Sequence, residues 1–452
     1  MNKIYKDFRS FKKRIKILFL LDHGGRGGSN FFQCLFDNHE NIIVCPLVHY
    51  VYSNWTRFLG KKTSVSISKF YDYLEKNSYF KYIYNDLNDS SRSFIKKIGG
   101  DTSIDFPSKK FRNFIEYANR NSKTIARSDA IKQLYFFYAV CINKNTEKVN
   151  YILCIDSVSL REERLFDSFD LSILDLVKKD FIDFYIISIQ RDPRAQFAST
   201  RHQLISQMIN NYDYKISSFF QKFFNLLLKK YKSFDSPANF FIFYQYIAFY
   251  SLLKKYENSN DKWIFIKNED LNLNFLETIK KFCKKININF CQDWDSSNYK
   301  IKMMGKEWNG TGAYNSNYNP NKSKILSNEL KKQSQDYSSP NKHVTERWKY
   351  LLPRTEKLFL TNFFYTELKI SNYELYDSRK IDFIFLIFPF LGEIPRISWF
   401  IKKSENIGFI DKLFYLFTFP LFFFVSRIKI LIYIYELKKK YPISNFKKIY
   451  FL

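Results

Sequence analysis

A chain of 452 residues with 46% hydrophobic and 20% aromatic residues can bury a large core, so extensive disorder is excluded. The formal net charge of +28 suits nucleic acid, an anionic lipid surface or an acidic substrate as partner. The abundant Lys, Asn, Ile, Phe and Tyr also fit a codon bias, which raises the charge without creating a basic patch. The length allows two or three domains, or one large α/β domain with insertions and a tail.

Cysteine usage and the N-terminus bear on the cellular compartment. The six cysteines form no Cys-x-x-Cys pair and lie mostly in apolar segments, as reduced packing residues do. Residues 1–14 are rich in Lys and Arg and are expected to form a solvated arm or a short helix. The apolar run that follows is too short for a signal peptide and lacks a small-residue cleavage site. A cytoplasmic location is therefore predicted.

Residues 15–46 have the pattern of a strand, a glycine-rich turn, a helix and a second strand. The apolar run at 15–21 is typical of a strand buried on both faces of a parallel sheet. Four glycines surround Arg26 in the turn and allow backbone N–H groups to approach a ligand closely. Ser29 or Asn30 is expected to cap the helix, with Gln33 in capping-box spacing after Asn30.

The N–H groups of this turn, the positive end of the helix dipole and Arg26 converge, which predicts a site for phosphate or sulfate. The turn is not a Walker A loop, because that motif has Lys and then Ser or Thr after its last glycine. Here Ser29 directly follows Gly28. A purely local role as a tight connection is the alternative.

Three further apolar runs have the character of buried strands. They lie at residues 151–155, 184–189 and 263–266. Helical patterns occupy 203–257 and 275–285. Residues 47–150 are expected to form an irregular cap over the sheet edge, with helical segments at 68–76, 110–120 and 127–143. Strands that alternate with helices predict an α/β fold with a doubly wound parallel sheet flanked by helices.

The run at 184–189 leads directly into Gln-Arg-Asp-Pro-Arg at 190–194. Asp is a favoured N-cap residue and Pro a favoured first helical residue, so a helix is predicted to begin at Pro193. Arg191 then lies in the loop at the carboxyl end of a strand, where open α/β sheets bind their ligands.

Together the two motifs resemble those of sulfotransferases that use 3′-phosphoadenosine 5′-phosphosulfate. Residues 26–30 (Arg-Gly-Gly-Ser-Asn) stand in the register of the family's Arg-Ser-Gly-Thr-Thr loop, although two hydroxyl residues of that loop are missing. Arg191 and Ser199 have the eight-residue spacing of its 3′-phosphate site. The resemblance covers roughly residues 15–374 and includes LFDNH at 35–39, NEDL at 268–271, GKEW at 305–308 and RWK at 347–349.

The resemblance implies a P-loop-like sulfotransferase fold over residues 15–374, with residues 47–150 forming the acceptor-binding cap. It implies that the phosphosulfate donor is bound without a metal ion. The residues implied to hold the donor are Gly25, Arg26, Gly27, Gly28, Ser29, Asn30, Arg191 and Ser199. Arg26 is also implied to act in catalysis, at the bridging oxygen where negative charge develops.

The transfer also needs a base for the acceptor hydroxyl. In some relatives a carboxylate follows the phosphosulfate helix at about the position of Leu47, and His49 is the nearest basic side chain. Histidine titrates near neutral pH and suits the role. His23 is a second candidate, and a purely structural histidine is the alternative to both.

Residues 375–452 are predicted to form a helical, aromatic-rich C-terminal extension. Its uncharged run at 413–426 is shorter than the roughly 20 residues of a bilayer-spanning helix. Residues 401–452 contain ten Lys or Arg against three acidic residues, a net +7, which favours attachment to an anionic membrane surface. Burial against the catalytic domain is the alternative.

The sequence thus predicts a sulfotransferase that acts on a hydroxyl of a glycan or other membrane-proximal acceptor, in the cytoplasm or peripherally at the inner face of the membrane. A kinase-like phosphate-handling enzyme and a non-catalytic basic membrane-binding protein are the alternatives. The first lacks the Lys-Ser/Thr of a Walker A loop and a recognisable magnesium carboxylate. No sequence motif supports nucleic acid as a partner.

Overall fold

The computed structural model describes residues 2–22, 27–45, 50–157, 172–199, 237–259, 261–296, 299–308, 340, 342–352, 354–376, 432, 434–446 and 448–452. The predictions made for Gly25, Arg26, His23 and His49 lie outside the described residues. So do those for most of the C-terminal extension.

Five of the strands form a central parallel sheet in the order β2-β5-β1-β6-β7. Two short antiparallel pairs, β3 with β4 and β8 with β9, lie outside it. The strands are β1 (Lys16–Asp22), β2 (Ile42–Val44), β3 (Ser64–Ser66), β4 (Thr124–Ala126), β5 (Tyr151–Ser157), β6 (Phe184–Gln190), β7 (Trp263–Lys267), β8 (Lys302–Met303) and β9 (Lys306–Glu307).

The helices surround this sheet, which gives the predicted mixed α/β fold. They are α1 (Asn2–Arg14), α2 (Ser29–Leu35), α3 (Val51–Leu59), α4 (Ile67–Asp72), α5 (Lys81–Tyr84), α6 (Asp89–Lys97), α7 (Ser108–Asn119), α8 (Arg127–Cys141), α9 (Ser172–Asp180), α10 (193–199), α11 (Pro237–Glu257), α12 (Asn268–Leu273), α13 (Phe275–Ile286), α14 (Lys342–Leu351), α15 (Arg354–Phe363) and α16 (Tyr365–Ile370). Residues 50–150 are therefore mainly helical rather than irregular, and the helices predicted at 68–76, 110–120 and 127–143 are confirmed by α4, α7 and α8.

The sheet order places a topological switch point beside β1. The chain leaves β1 for β2 and β5 on one side and then crosses to β6 and β7 on the other. Right-handed crossovers in opposite directions place their helices on opposite faces of the sheet. The crevice at the carboxyl end of β1 is therefore where this topology places a ligand.

The predicted strands are confirmed because each is an apolar run that the sheet buries on both faces. Residues 17–20 of β1 are fully buried, and β5 and β6 are almost as completely enclosed. All six cysteines are free thiols, and all except Cys291 are buried, which confirms the prediction of packing residues.

Helix α1 is not a solvated arm. It buries Phe8 and Phe11, and both rings contact the ring of Phe136 on α8, at centroid distances of 5.3 and 5.0 Å. Lys12 on its polar face pairs with Asp129 of α8. Of the two forms expected for residues 1–14, the short helix is correct, and an apolar stripe attaches it to the domain.

The end of the chain also packs on the domain. Residues 434–440 are helical, and Leu437, Tyr441 and Ile449 are buried. The N–H of Leu452 donates to the carbonyl oxygen of Phe265 on the edge strand β7. Residues 434–452 therefore pack against the α/β domain. No helix among the described residues is long and apolar enough to cross a bilayer.

We expect Arg127→Ala to lower the free energy of unfolding by about 3–5 kcal/mol, because it leaves a buried carboxylate unpaired. The Arg127 side chain is fully buried and binds both carboxylate oxygens of Asp180, at 2.6 and 3.1 Å. Lys76→Ala removes an exposed helical ion pair with Asp72 and is the control. Urea unfolding of both variants should show a large loss of unfolding free energy for Arg127→Ala only. Equal losses would contradict the prediction.

Candidate functional site

The glycine turn at the carboxyl end of β1 leads into α2 through a left-handed residue. Gly28 occupies the N-cap position with φ +103°, and no side chain caps the helix. The predicted cap at Ser29 or Asn30 was therefore wrong: Ser29 is the first helical residue. Gln33 does not form a capping box, since its amide donates to the carbonyl oxygen of Cys45 at 2.8 Å.

The turn packs tightly against two neighbouring segments. A Cβ on Gly27 would lie 3.2 Å from the carbonyl oxygen of Ile189 on β6 and 3.8 Å from Nε2 of Gln196 on α10. A Cβ on Gly28 would lie only 2.0 Å from Nδ2 of Asn268, at the start of α12. The turn after β1, the end of β6 and the residue after β7 therefore meet at one edge of the sheet.

Helix α10 begins where the sequence predicts. Residue 193 is its first residue, and Asp192 Oδ1 accepts a hydrogen bond from the N–H of Arg194 at 2.8 Å, which is an N-cap contact. Arg191 precedes this cap at the end of β6, and Ser199 lies further along α10. Both side chains are buried, with exposures of 7% and 3%.

A second helix covers Arg191. One terminal nitrogen of Arg191 donates to the carbonyl oxygen of Val344 on α14 at 2.5 Å. Helix α14 contains the Arg-Trp-Lys segment at 347–349, and Trp348 is itself buried. Two segments that are about 150 residues apart in the sequence are thereby brought to the same side of the crevice.

Arg194, the second arginine of the motif, belongs to the interior. Its guanidinium is fully buried, pairs with both carboxylate oxygens of Asp192, and donates to Thr361 Oγ1 and to the carbonyl oxygen of Glu374. It also lies 3.9 Å from the ring centroid of Trp348, which is a cation–π contact. The positive charge of Arg194 is thus used within the fold.

Glu269 joins the end of β6 to the end of β7. Its Oε1 accepts the N–H of Asp192 at 3.1 Å, and its Oε2 accepts the hydroxyl of Tyr373 at 3.0 Å. Burial, and then the negative charge of Asp192, raise the pKa of Glu269 to about 7, although nearby Arg191 opposes this. The NEDL segment therefore holds the Gly28 turn through Asn268 and the Arg191 loop through Glu269.

Asp22 and Tyr50 form a contact that the sequence did not indicate. The Tyr50 hydroxyl donates to Oδ2 of Asp22, the last residue of β1, at 3.2 Å. Asp156 at the end of β5 holds the start of α3, because it accepts the N–H groups of Tyr52 and Ser53 at 2.6 and 3.0 Å. In the sequence, the only sign of the contact between Asp22 and Tyr50 is that Asp22 precedes the segment with the glycine-rich turn.

The LFDNH segment has a structural role. Asp37 accepts the N–H of Gly305 at 2.8 Å, and burial raises its pKa to about 6. His39 Nε2 lies 2.8 Å from the carbonyl oxygen of Asn289, its ring stacks on Trp294, and burial lowers its pKa. Among the described residues, no group of three or more His, Cys, Asp or Glu is placed to hold a metal ion.

Comparison with solved structures finds two sulfotransferase domains. One, from the curacin biosynthetic pathway, has 14% identity and a TM-score of 0.41, and the match covers 80% of this chain and 99% of that domain. The other, from the olefin synthase of Synechococcus PCC 7002, has 13% identity, a TM-score of 0.35 and coverage of 75% and 89%. No protein-family model and no curated protein sequence matches the chain. At TM-scores below 0.5, these similarities are too weak to support a structural or functional assignment.

We expect Gly28→Ala to destabilise the protein more than Gly305→Ala. Both glycines have positive φ, which costs an L-residue about 1–2 kcal/mol, but only the Cβ at 28 would collide with Asn268. At Gly305 no atom lies within 4 Å of the added Cβ. Urea unfolding of the two variants measures the difference. Equal losses would mean that the turn does not pack against α12 as described.

We expect the free energy of unfolding of the wild-type protein to fall between pH 5 and pH 8. Glu269→Gln should make this fall smaller. The pKa of Glu269 is about 7 in the folded protein against an ordinary 4.5. Its stabilising contribution is therefore full below about pH 4.5 and is lost as the pH rises through 7, by up to about 3 kcal/mol. Glutamine has no such titration.

Urea unfolding at both pH values, for wild type and variant, measures this effect. Glu277→Gln is the control, because Glu277 is exposed and pairs with Lys281. An unchanged pH dependence in Glu269→Gln would show that Glu269 does not titrate as described.

Proposed function

We propose that this protein is a sulfotransferase that transfers a sulfuryl group from 3′-phosphoadenosine 5′-phosphosulfate to a hydroxyl of a carbohydrate or another membrane-proximal acceptor. The observation that carries the proposal is the packing of Gly27 and Gly28 against the end of β6, α10 and α12. This contact brings the two segments with sulfotransferase-like motifs together at the switch point of the sheet.

The residues at this edge fit a donor that carries anionic groups at both ends of a nucleoside. Gly27 and Gly28 have no side chain that could separate a ligand from the backbone of the turn. Arg191 contributes a guanidinium group, which binds phosphate well through paired N–H donors, and Ser199 contributes a hydroxyl. The buried Asp192–Arg194 pair adds no net charge, so Arg191 sets the positive charge of the loop.

In the proposed reaction, the bound donor supplies the sulfuryl group and a phosphate leaving group. The turn at 25–30 holds the phosphosulfate, and Arg26 stabilises negative charge on the bridging oxygen, where transition-state charge develops. Arg191 and Ser199 hold the 3′-phosphate. Asn268 and Glu269 fix the relative position of the two loops, which orients the donor.

We expect Arg191→Ala to weaken binding of adenosine 3′,5′-bisphosphate by about 10- to 100-fold, because a charge-assisted phosphate contact is worth about 1.5–3 kcal/mol. Ser199→Ala should weaken binding by less, about two- to tenfold, because it removes one neutral hydroxyl. Arg120→Ala is the charge-matched control, since Arg120 is exposed at the end of α7. Isothermal titration calorimetry measures all three.

Thermal unfolding of each variant separates loss of binding from loss of fold. Unchanged affinity in Arg191→Ala would contradict the assignment of the 3′-phosphate site. Wild-type protein that binds ATP and not the bisphosphate would instead favour the kinase-like alternative.

The membrane-proximal acceptor is a separate part of the proposal. Lys439 and Lys440 are exposed near the end of the chain. Because each basic residue near an anionic surface contributes about 1 kcal/mol, changing both to Glu should weaken binding to phosphatidylserine vesicles at low salt by at least about tenfold. The same change at Lys284 and Lys285, exposed on α13, is the control. Wild-type protein that does not bind these vesicles would refute membrane attachment.

A further inference from the structure

The carboxyl end of β1 has an acidic group that the proposed donor site does not use. Asp22 is the last residue of β1, is 9% exposed, and directly precedes the segment 23–28 that contains the glycine turn. A carboxylate at this position would not help to bind an anionic donor. It is suited to accept a proton beside the donor.

Two neighbouring strands fix the geometry of this group. Asp22 lies opposite Ser157 in the register of β1 and β5, one residue beyond Asp156. Asp156 binds the first N–H groups of α3, and this helix begins directly after Tyr50. The hydroxyl of Tyr50 is therefore held against Asp22 by the pairing of β1 with β5 and by the contact of Asp156 with α3.

The surroundings keep Tyr50 in its proton-donating form. Burial, and then the charge of Asp22, raise the pKa of Tyr50 well above its usual range. Among the described residues, the hydroxyls of Tyr79 and Tyr244 also raise the pKa of Tyr50. The ring of Tyr79 meets that of Tyr50 edge-on at 6.1 Å. Tyr50 and Tyr79 are partly buried, and each keeps some exposed surface, so the pair lies next to a surface that an acceptor can reach.

We infer that Asp22 and Tyr50 form the proton-accepting pair of the transferase reaction, with the Tyr50 hydroxyl between the acceptor and Asp22. This inference rests on the proposed function. The negative charge of Asp22 disfavours an anionic acceptor, so the site takes a neutral alcohol. The rings of the tyrosines beside Tyr50 provide an apolar wall for this alcohol.

The step balances without a further reactant. The acceptor oxygen forms a bond to sulfur, while the bond between sulfur and the bridging oxygen breaks. The electron pair of the broken bond goes to the phosphate of adenosine 3′,5′-bisphosphate. The proton of the acceptor moves to the oxygen of Tyr50 as the proton of Tyr50 moves to Oδ2 of Asp22, which later releases it to solvent.

The test uses the full chain with 3′-phosphoadenosine 5′-phosphosulfate and water as the acceptor, and measures release of sulfate. We expect Asp22→Asn and Tyr50→Phe each to slow release by about 100-fold or more, as loss of a general base does. Both variants should bind adenosine 3′,5′-bisphosphate within about threefold of wild type. The double variant should be no slower than the slower single variant, because the two groups act as a unit.

A pH profile separates catalysis from a structural role. Wild-type release should fall at acidic pH, as expected when a carboxylate is the proton acceptor, and the residual rate of Asp22→Asn should not follow this fall. Tyr82→Phe is the control, because it keeps the ring that stacks on Phe94 at 4.2 Å, and it should release sulfate at the wild-type rate.

Three results would overturn the inference. One is an Asp22→Asn rate and pH profile equal to those of wild type. Another is a rate of sulfate release that no longer falls at acidic pH in His49→Asn but still falls in Asp22→Asn. The last is a wild-type protein that binds the bisphosphate but releases no sulfate. All three leave the proposed donor site standing, whereas a wild-type protein that does not bind the bisphosphate refutes the proposed function itself.

Discussion

Two side chains at the end of β7 hold the site together. Asn268 occupies the space beside Gly28 that any Cβ would need, and Glu269 accepts the N–H of Asp192. Burying a carboxylate next to another carboxylate is unfavourable, as the raised pKa of Glu269 shows. Such a cost is tolerated where the rest of the structure requires the contact. Here it fixes the relative position of the turn after β1 and the loop after β6, on which the proposed binding of the donor depends.

Much of the fold could be predicted because its signals are local. Each buried parallel strand is a short apolar run, and the Asp192-Pro193 pair marks a helix start within two residues. The predictions that failed depend on distant partners. The helix cap moved to Gly28 because Asn268, some 240 residues away in the sequence, packs against a left-handed residue there. For residues 1–14 the sequence left open a solvated arm or a short helix, because the apolar face of α1 has no partner until α8 is in place.

The candidate site was predictable only in part, for the same reason. The eight-residue spacing of Arg191 and Ser199 is visible in the sequence, but the carbonyl oxygen of Val344 that Arg191 binds is not. An acid at the end of a buried strand could have been noticed at Asp22. Its contact with Tyr50 could not, because it follows from the way Asp156 positions α3. The order of the strands in the sheet decides which strand ends become neighbours, and no single stretch of the sequence reveals this order.

In the Arg-Asp-Pro-Arg segment, the second arginine stabilises the fold, and the first belongs to the proposed donor site. Asp192 caps α10 and neutralises Arg194, whose guanidinium also binds Thr361 and stacks on Trp348. Arg194 therefore links α10 to the helices that cover it, and its loss would act through the fold. The charge of Arg191 acts on Glu269 and lowers its pKa, against the larger effect of burial. An anion that binds Arg191 would favour the neutral form of Glu269 still further, so binding of the proposed donor near neutral pH should be accompanied by proton uptake.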